Sequence, residues 1–295
     1  MDEHKWLAEQ FEAERPHLRA VAYRMLGSLA EADDAVQETW LRISCSDTST
    51  VANLGGWLTT VLARICLNML HARKARCEES LEASVSEPIT RAFGGMNPEE
   101  EAELADSVGL ALLVVLDTLA PAERLAFVLH DIFAMPFDEI APLVERSPTA
   151  ARQLASRARR RVRGAASEAS TDLAASREVV DAFLAASRGG DFDALLAILD
   201  PDVVFRADRV AVSRGAAGDI RGAAAVVRQL AGPLRFGTQF ARPVLVDGAL
   251  GLVVAPRGHL VLLLRLTIRG RKIAEIEAVA EPAHLHQVRL AVLDD

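Results

Sequence analysis

Cysteine is scarce. Cys45, Cys66 and Cys77 are odd in number, widely spaced, and form no CxxC pair. That argues against a disulfide framework or a zinc site and for reduced thiols in a cytoplasmic protein. Long apolar runs are missing too, and none approaches the roughly 18 residues of a membrane span. The opening stretch, MDEHKWLAEQ, is charged and has no apolar signal core. The expectation is a cytoplasmic chain with no membrane partner, no metal and no cofactor. Net positive charge is also absent: 33 Lys and Arg face 41 Asp and Glu, leaving −8 at pH 7. Binding to nucleic acid therefore could not rest on bulk charge and would need cations gathered on particular faces. What is present is ordinary for a soluble globular protein, with 25% charged and 51% hydrophobic residues. A length of 295 residues allows two or three domains.

Cations do gather in one stretch, PFDEIAPLVERSPTAARQLASRARRRVR. Phe137, Ile140, Ala141 and Val144 recur at i, i+3, i+4 and i+7, the apolar stripe of a first helix that Pro142 should strain. Ser147 suits the cap of a second helix, with Pro148 at its first position. Ala151, Leu154, Ala158 and Val162 would face inward. Thr149, Arg152, Gln153, Ser156, Arg157, Arg160 and Arg163 would then face outward. No acidic residue lies between Arg146 and Arg163 to cancel that field. This is the layout of a helix-turn-helix, although a helical hairpin with a solvated basic face has the same pattern.

Upstream, residues 5–45 read as helices broken at Gly27-Ser28. EADDAVQETWLRI places Asp33, Asp34, Gln37 and Glu38 opposite an apolar side. Such a negative cluster is either solvated surface or a docking face for a basic partner. GGWLTTVLARICLNMLHARKAR gives a third helix. Its polar side, with Arg64, Asn68, His71, Arg73 and Lys74, is basic toward the C-terminal end, where cations also suit the helix dipole. Periodicity fades in an acidic, Pro- and Gly-containing stretch over 77–105. Helix resumes at ADSVGLALLVVLDTLA and PAERLAFVLHDIF. After a small polar linker at 165–173 the character changes again. Amphipathic helices give way to strand-like segments punctuated by Asp247-Gly248, Pro256-Arg257-Gly258 and Arg269-Gly270. Helices followed by antiparallel hairpins suggest a small α+β domain with a curved sheet.

The order of these parts resembles a known family. EADDAVQETWLR resembles the core-polymerase-binding helix of bacterial sigma factors, in their region 2. GGWLTTVLARICLNMLHARKAR resembles the adjoining helix that reads and opens the −10 element, and residues 106–163 resemble region 4, which binds the −35 element. The set looks like an extracytoplasmic-function sigma factor of the SigJ-like branch, whose tail is a SnoaL-like cone domain. The resemblance implies a multidomain chain: region 2 over 1–76, a linker over 77–105, region 4 over 106–164, a linker over 165–173 and the regulatory cone over 174–295. It also implies partners, core RNA polymerase and promoter DNA. Asp33, Asp34, Gln37, Glu38 and Trp40 would seat the chain on the polymerase. Arg64, Asn68, His71, Arg73 and Lys74 would hold the non-template strand near −10, recovering the stacking lost on melting. Thr149, Arg152, Gln153 and Ser156 would meet base edges at −35, while Arg157, Arg160 and Arg163 would grip phosphates.

Three segments depart from the branch pattern. Val85-Ser86-Glu87-Pro88 keeps only the last pair of a Trp-Leu-Pro-Glu-Pro segment. Arg214-Gly215-Ala216-Ala217-Gly218 stands for a glycine-rich one, and Glu281-Pro282-Ala283-His284-Leu285 for an Asn-Pro-Asp-Lys-Leu-like one. These bear on control of the sigma core by its tail, not on the core itself. Cone domains host enzymes and binding modules alike. Catalysis would need a carboxylate or histidine in an apolar cavity, and Asp202, Asp208, Glu275, Glu277 and His259 are the available groups. Their spacing shows no convincing acid–histidine arrangement, so the expectation is no enzyme and no catalytic residue. The alternative is a cone-fold enzyme or ligand-responsive repressor that borrowed a helix-turn-helix, with an unnamed small-molecule ligand of the tail left open. A built-in tail also makes a separate anti-sigma partner less necessary.

Overall fold

The computed structural model describes residues 3–46, 51, 53–80, 109–163, 170–213, 215–231, 235–238, 240–256, 260–285 and 287–293. The acidic stretch from 81, the Val85–Pro88 segment, most of the second linker (164–169), Arg214 and His259 lie outside them.

Three helices open the chain: α1 (Glu3–Leu26), α2 (Leu29–Ser44) and α3 (Leu54–Ser80). Gly27 at φ 78° lets the chain turn between the first two, and the Ser28 hydroxyl accepts from the Glu31 N–H to cap α2. Their apolar stripes meet in one core that includes Phe11, Leu18, Met25, Val36, Ile43, Leu58 and Leu62, all essentially inaccessible. α5 (Pro121–Phe127) begins on its proline and runs into a π-turn, Val128–Ile132. It packs on α3, and the π-turn packs on α1.

The helix-turn-helix pair follows. α6 (Phe137–Ile140) is one turn long, shorter than the stripe to Val144 suggests. Pro142 has no N–H to continue the ladder, so the chain leaves the helix at Ala141 and passes through Glu145 at φ 54°. α7 (Pro148–Arg163) then starts with the Ser147 hydroxyl accepting from the Ala150 N–H at 3.2 Å.

The remaining residues build a seven-stranded sheet in the order β2-β1-β6-β5-β4-β3-β7. The strands are β1 (Leu199–Ala207), β2 (Ile220–Arg221), β3 (Ala241–Val246), β4 (Ala249–Val254), β5 (Leu262–Arg269), β6 (Lys272–Val279) and β7 (Leu290–Ala291). The hairpins are antiparallel as expected from their turns, but β1 joins β6 in parallel, so the sheet is mixed. Gly251 is required in β4, because a Cβ there would meet the Leu264 carbonyl oxygen at 2.8 Å. Helices α8 (Ser170–Gly189), α9 (Phe192–Ile198) and α11 (Ala223–Ala231) cover one face, burying Phe183, Leu195, Phe205, Val226 and Ile276. The short α10 (Arg209–Ser213), α12 (Arg235–Thr238) and α13 (Pro282–Leu285) complete the connections.

The chain divides into two units, one of residues Met1–Ser84 with Leu119–Arg160, the other of Val85–Thr118 with Arg161–Asp295. That division cuts through the expected 106–164 domain. α4 (Leu110–Asp117) belongs to the sheet unit, where it packs on β3 and β7. In the same unit the Val292 N–H donates to the Val162 carbonyl at the end of α7, 2.8 Å away.

Candidate nucleic-acid and polymerase interface

On α7 the spacing of small residues creates two faces. Ala151, Ala155 and Ala158 are fully buried and Val162 nearly so. Turned 100° per residue from that spine, Thr149, Arg152, Gln153, Arg157, Arg160 and Arg163 are exposed, and Ser156 is half-buried. The cations differ in their neighbours. The Arg152 guanidinium lies 5.2 Å from the Phe137 ring, itself stacked on His130. Arg157 approaches Glu123 at 3.4 Å, and Arg159, which was not among the expected contacts, pairs with Asp131 at 2.5 Å.

The expected polymerase face lies on α2. Asp34 and Gln37 are exposed; Asp33 is held by a bidentate contact from Arg19, at 2.6 and 3.0 Å, and Glu38 accepts from Arg42 at 2.9 Å. Trp40 is half-buried with its ring 5.1 Å from Phe11, so it links α1 to α2. Leu41 was not singled out in the sequence. It is 54% exposed and follows Asp34 and Gln37 at i+7 and i+4 on the same side of the helix. An apolar residue seven positions after an acid and four after an amide was the available signal.

On α3, Arg64, Asn68 and His71 are exposed together. Arg73 points elsewhere: half-buried, it donates to the Leu26 carbonyl and pairs with Glu31, tying α3 to the α1–α2 turn. Lys74 lies on the helix, but its side chain is outside the described residues.

In the sheet unit the candidate acids serve as structural partners. Asp208 accepts N–H bonds from Ala211, Ala280 and Glu281 at 2.7 to 2.8 Å. Glu275 pairs with Arg206 at 2.5 Å and Glu277 with Arg265 at 3.4 Å, on the face opposite the core leucines. Asp202 is exposed, its N–H donating to Asp200. The apolar cavity beneath α8, about 30 Å³, is lined by Phe183, Leu230, Leu252 and other apolar groups together with Ser187 and Thr238, whereas a wider cleft of about 350 Å³ is lined by Glu275 and Glu277 with Asp247, Arg265 and Thr267. Among the described residues no group of His, Cys, Asp and Glu could hold a metal ion, and no helix is long and apolar enough to cross a membrane.

Comparison with known proteins bears on the same residues. The sigma-70 region 2 family matches residues 10–76, and the sigma-70 region 4 family matches 109–162. The chain is 38% identical over 287 residues to the ECF RNA polymerase sigma factor SigJ of Mycobacterium tuberculosis, covering 92% of this chain and 91% of that one. It is 32% identical over 297 residues to the probable ECF RNA polymerase sigma factor SigI of the same species, covering 98% of each. The crystal structure of M. tuberculosis SigJ, at 34% identity, covers 94% of this chain and 97% of that one with a TM-score of 0.45. With relatives of 32 and 38% identity matched along almost their whole length, this chain belongs to the extracytoplasmic-function RNA polymerase sigma factors.

Proposed function

We propose that this sigma factor grips core RNA polymerase through the α2 face around Asp34, Gln37, Glu38 and Leu41, and reads the −35 element with α7. As a sigma factor it directs polymerase to promoters and starts transcription there. The observation that carries the −35 assignment is the exposed row on α7 standing on a fully buried alanine spine. A spine of alanines brings the helix axis close to its support and leaves long cations free to reach a groove. Thr149, Arg152, Gln153 and Ser156 lie where a docked helix meets base edges; Arg157, Arg160 and Arg163 lie where it meets phosphates. Asp33 and Trp40 support the polymerase face from within, through Arg19 and Phe11. Arg64, Asn68 and His71 form the −10 contact with Lys74, while Arg73 positions α3 through Glu31.

On this reading the domains run over 1–76, 106–164 and 174–295, and the tail regulates rather than catalyses, in the cytoplasm. The engagement of Asp208, Glu275 and Glu277 as structural partners supports a tail without chemistry of its own. Two binding measurements test the scheme. Arg152→Ala should change which −35 sequences are preferred, by about 1–3 kcal/mol of discrimination. Arg160→Ala should weaken all sequences alike and lower the salt slope by about 1. Identical effects from the two would refute the division. Polymerase capture that survives Asp34→Ala combined with Glu38→Ala would refute the docking face.

A further inference from the structure

We infer that Phe137 is a positioning residue for promoter specificity, whose ring holds the Arg152 guanidinium ready for the edge of one guanine in the −35 element. This rests on the reading of α7 proposed above and adds to it the device that aims one side chain. Phe137 opens α6, and the apolar stripe it begins is buried at Ile140, Ala141 and Val144. Phe137 itself is only half-buried. Two polar groups lie against its ring. His130 stacks on it with centroids 3.8 Å apart and planes 29° from parallel, and the guanidinium carbon of Arg152 lies over it, 5.2 Å from the centroid.

The backbone between these residues explains the stack. His130 lies in the π-turn, and the chain reaches Phe137 after a reversal at Ala134, whose φ is 56°. The Ala134 N–H donates to the His130 carbonyl at 3.0 Å and the Met135 N–H to the Leu129 carbonyl at 2.8 Å, which folds the chain back on itself. Across the same turn His130 Nδ1 meets the Met135 carbonyl at 3.0 Å. A carbonyl can only accept, so Nδ1 carries the proton, and the bond fixes the plane of the imidazole. The Phe137 ring is therefore held by an anchored neighbour before any DNA arrives.

What singles out Arg152 is how it is held. Arg157 faces Glu123 and Arg159 pairs with Asp131, so both spend guanidinium N–H groups on a carboxylate. Arg152 has no such partner among the described residues. An aromatic face attracts a cation through its quadrupole and takes none of its N–H donors. Those donors stay free while the side chain loses much of its freedom to swing. Guanine presents O6 and N7 together in the major groove, and a guanidinium fork matches them with two parallel bonds. A loose arginine can turn to a phosphate or a neighbouring acceptor when the base is wrong. A held one cannot, so the wrong pair leaves it unmatched and is rejected more strongly.

Holoenzyme assembled from the full-length chain and core polymerase can be challenged with promoter DNA randomised across the −35 element, and the bound sequences counted. Arg152→Ala should abolish the preference for guanine at one pair, a loss of about 5- to 150-fold, and so mark the pair that Arg152 reads. Phe137→Leu keeps an apolar side chain but removes the ring face. It should cut the preference at that pair about two- to fivefold, with the other pairs and the salt slope unchanged. Phe137→Tyr keeps the ring and should retain the wild-type preference. If circular dichroism shows Phe137→Leu unfolded, His130→Leu, which takes away the stacked neighbour, should give the same loss at the same pair. Wild-type preference in the folded variant overturns the inference, as does a loss spread over every pair or one that Phe137→Tyr shares. If Arg152→Ala itself moves no pair, the −35 reading of Arg152 falls and this inference with it. A shift with Arg152→Ala and none with the folded ring variant removes the aiming device alone.

Discussion

Two helices of the same sequence family, α4 and α7, solve opposite problems. α7 is amphipathic: alanines buried, arginines out, a proline and serine cap at its start. α4, LALLVVLD, is apolar on every side, and Leu113, Val114, Val115 and Leu116 are all fully buried. A helix with one apolar stripe needs one neighbour and keeps a face for a ligand, whereas one apolar all round must be enclosed. α4 is enclosed within the sheet unit, against β3 and β7. The lesson is that the tail contributes to the fold of the segment matched as region 4.

Deleting residues 174–295 should break the comparison most severely. Four buried side chains at roughly 1.5–3 kcal/mol each amount to about 6–12 kcal/mol. Losing half of that, about 3–6 kcal/mol, takes a large share of the margin of a typical domain, about 5–15 kcal/mol. The expected result is a chain without a cooperative region 4 transition in calorimetry and without promoter-driven transcription in vitro. Normal unfolding of the truncated chain would show that α4 does not depend on the sheet.

A single charge should do next most. Val115→Asp places an unpaired carboxylate in a fully buried site and should lower stability by about 3–5 kcal/mol, read as a fall in Tm. Arg160→Ala on α7 sharpens the contrast: stability should stay within about 0.5 kcal/mol while DNA affinity falls. Smaller still is Ser147→Ala, which removes the α7 cap and should destabilise by about 1 kcal/mol in denaturant unfolding.

The thiols offer the gentlest test. Burial pushes the Cys66 pKa from 9.0 up to about 12, whereas Cys45 is exposed. Iodoacetamide at pH 8 should modify Cys45 and spare Cys66 in the folded chain, as peptide mass spectrometry would show. Between those two pKa values the unfolded chain releases the Cys66 proton and the folded chain holds it. The unfolded state then binds fewer protons, so this group's contribution to stability falls as pH rises from about 9 toward 12.

Much of the helical half was legible from spacing. The Ser147 cap, the inward Ala151 and Ala158, and the outward arginines follow from local periodicity, and the structure places them there. Pro142 was read as strain inside a helix, and instead it ends α6, because a missing N–H is absorbed more easily by a turn than by a ladder. The hairpins were announced by their turn residues, but the parallel pairing of β1 with β6 was not, since a long connection carries no local register signal. Arg73 read as a DNA ligand because it lies on the basic side of α3. Its turn toward Glu31 depends on a residue 42 positions earlier.

Local order along the chain settled which residues have faces and which have none: a basic row on α7, an acidic row on α2, an α4 with no polar side. Such properties arise from 3.6-residue periodicity and side-chain chemistry, which need no partner to exist. Tertiary structure alone decided who covers whom, putting α4 on the sheet and the Arg124 guanidinium on the Arg24 carbonyl, 100 residues away. Apolar surface and unpaired carbonyls demand a cover without specifying which distant segment supplies it, because burial is non-directional and only packing of the whole chain selects the partner.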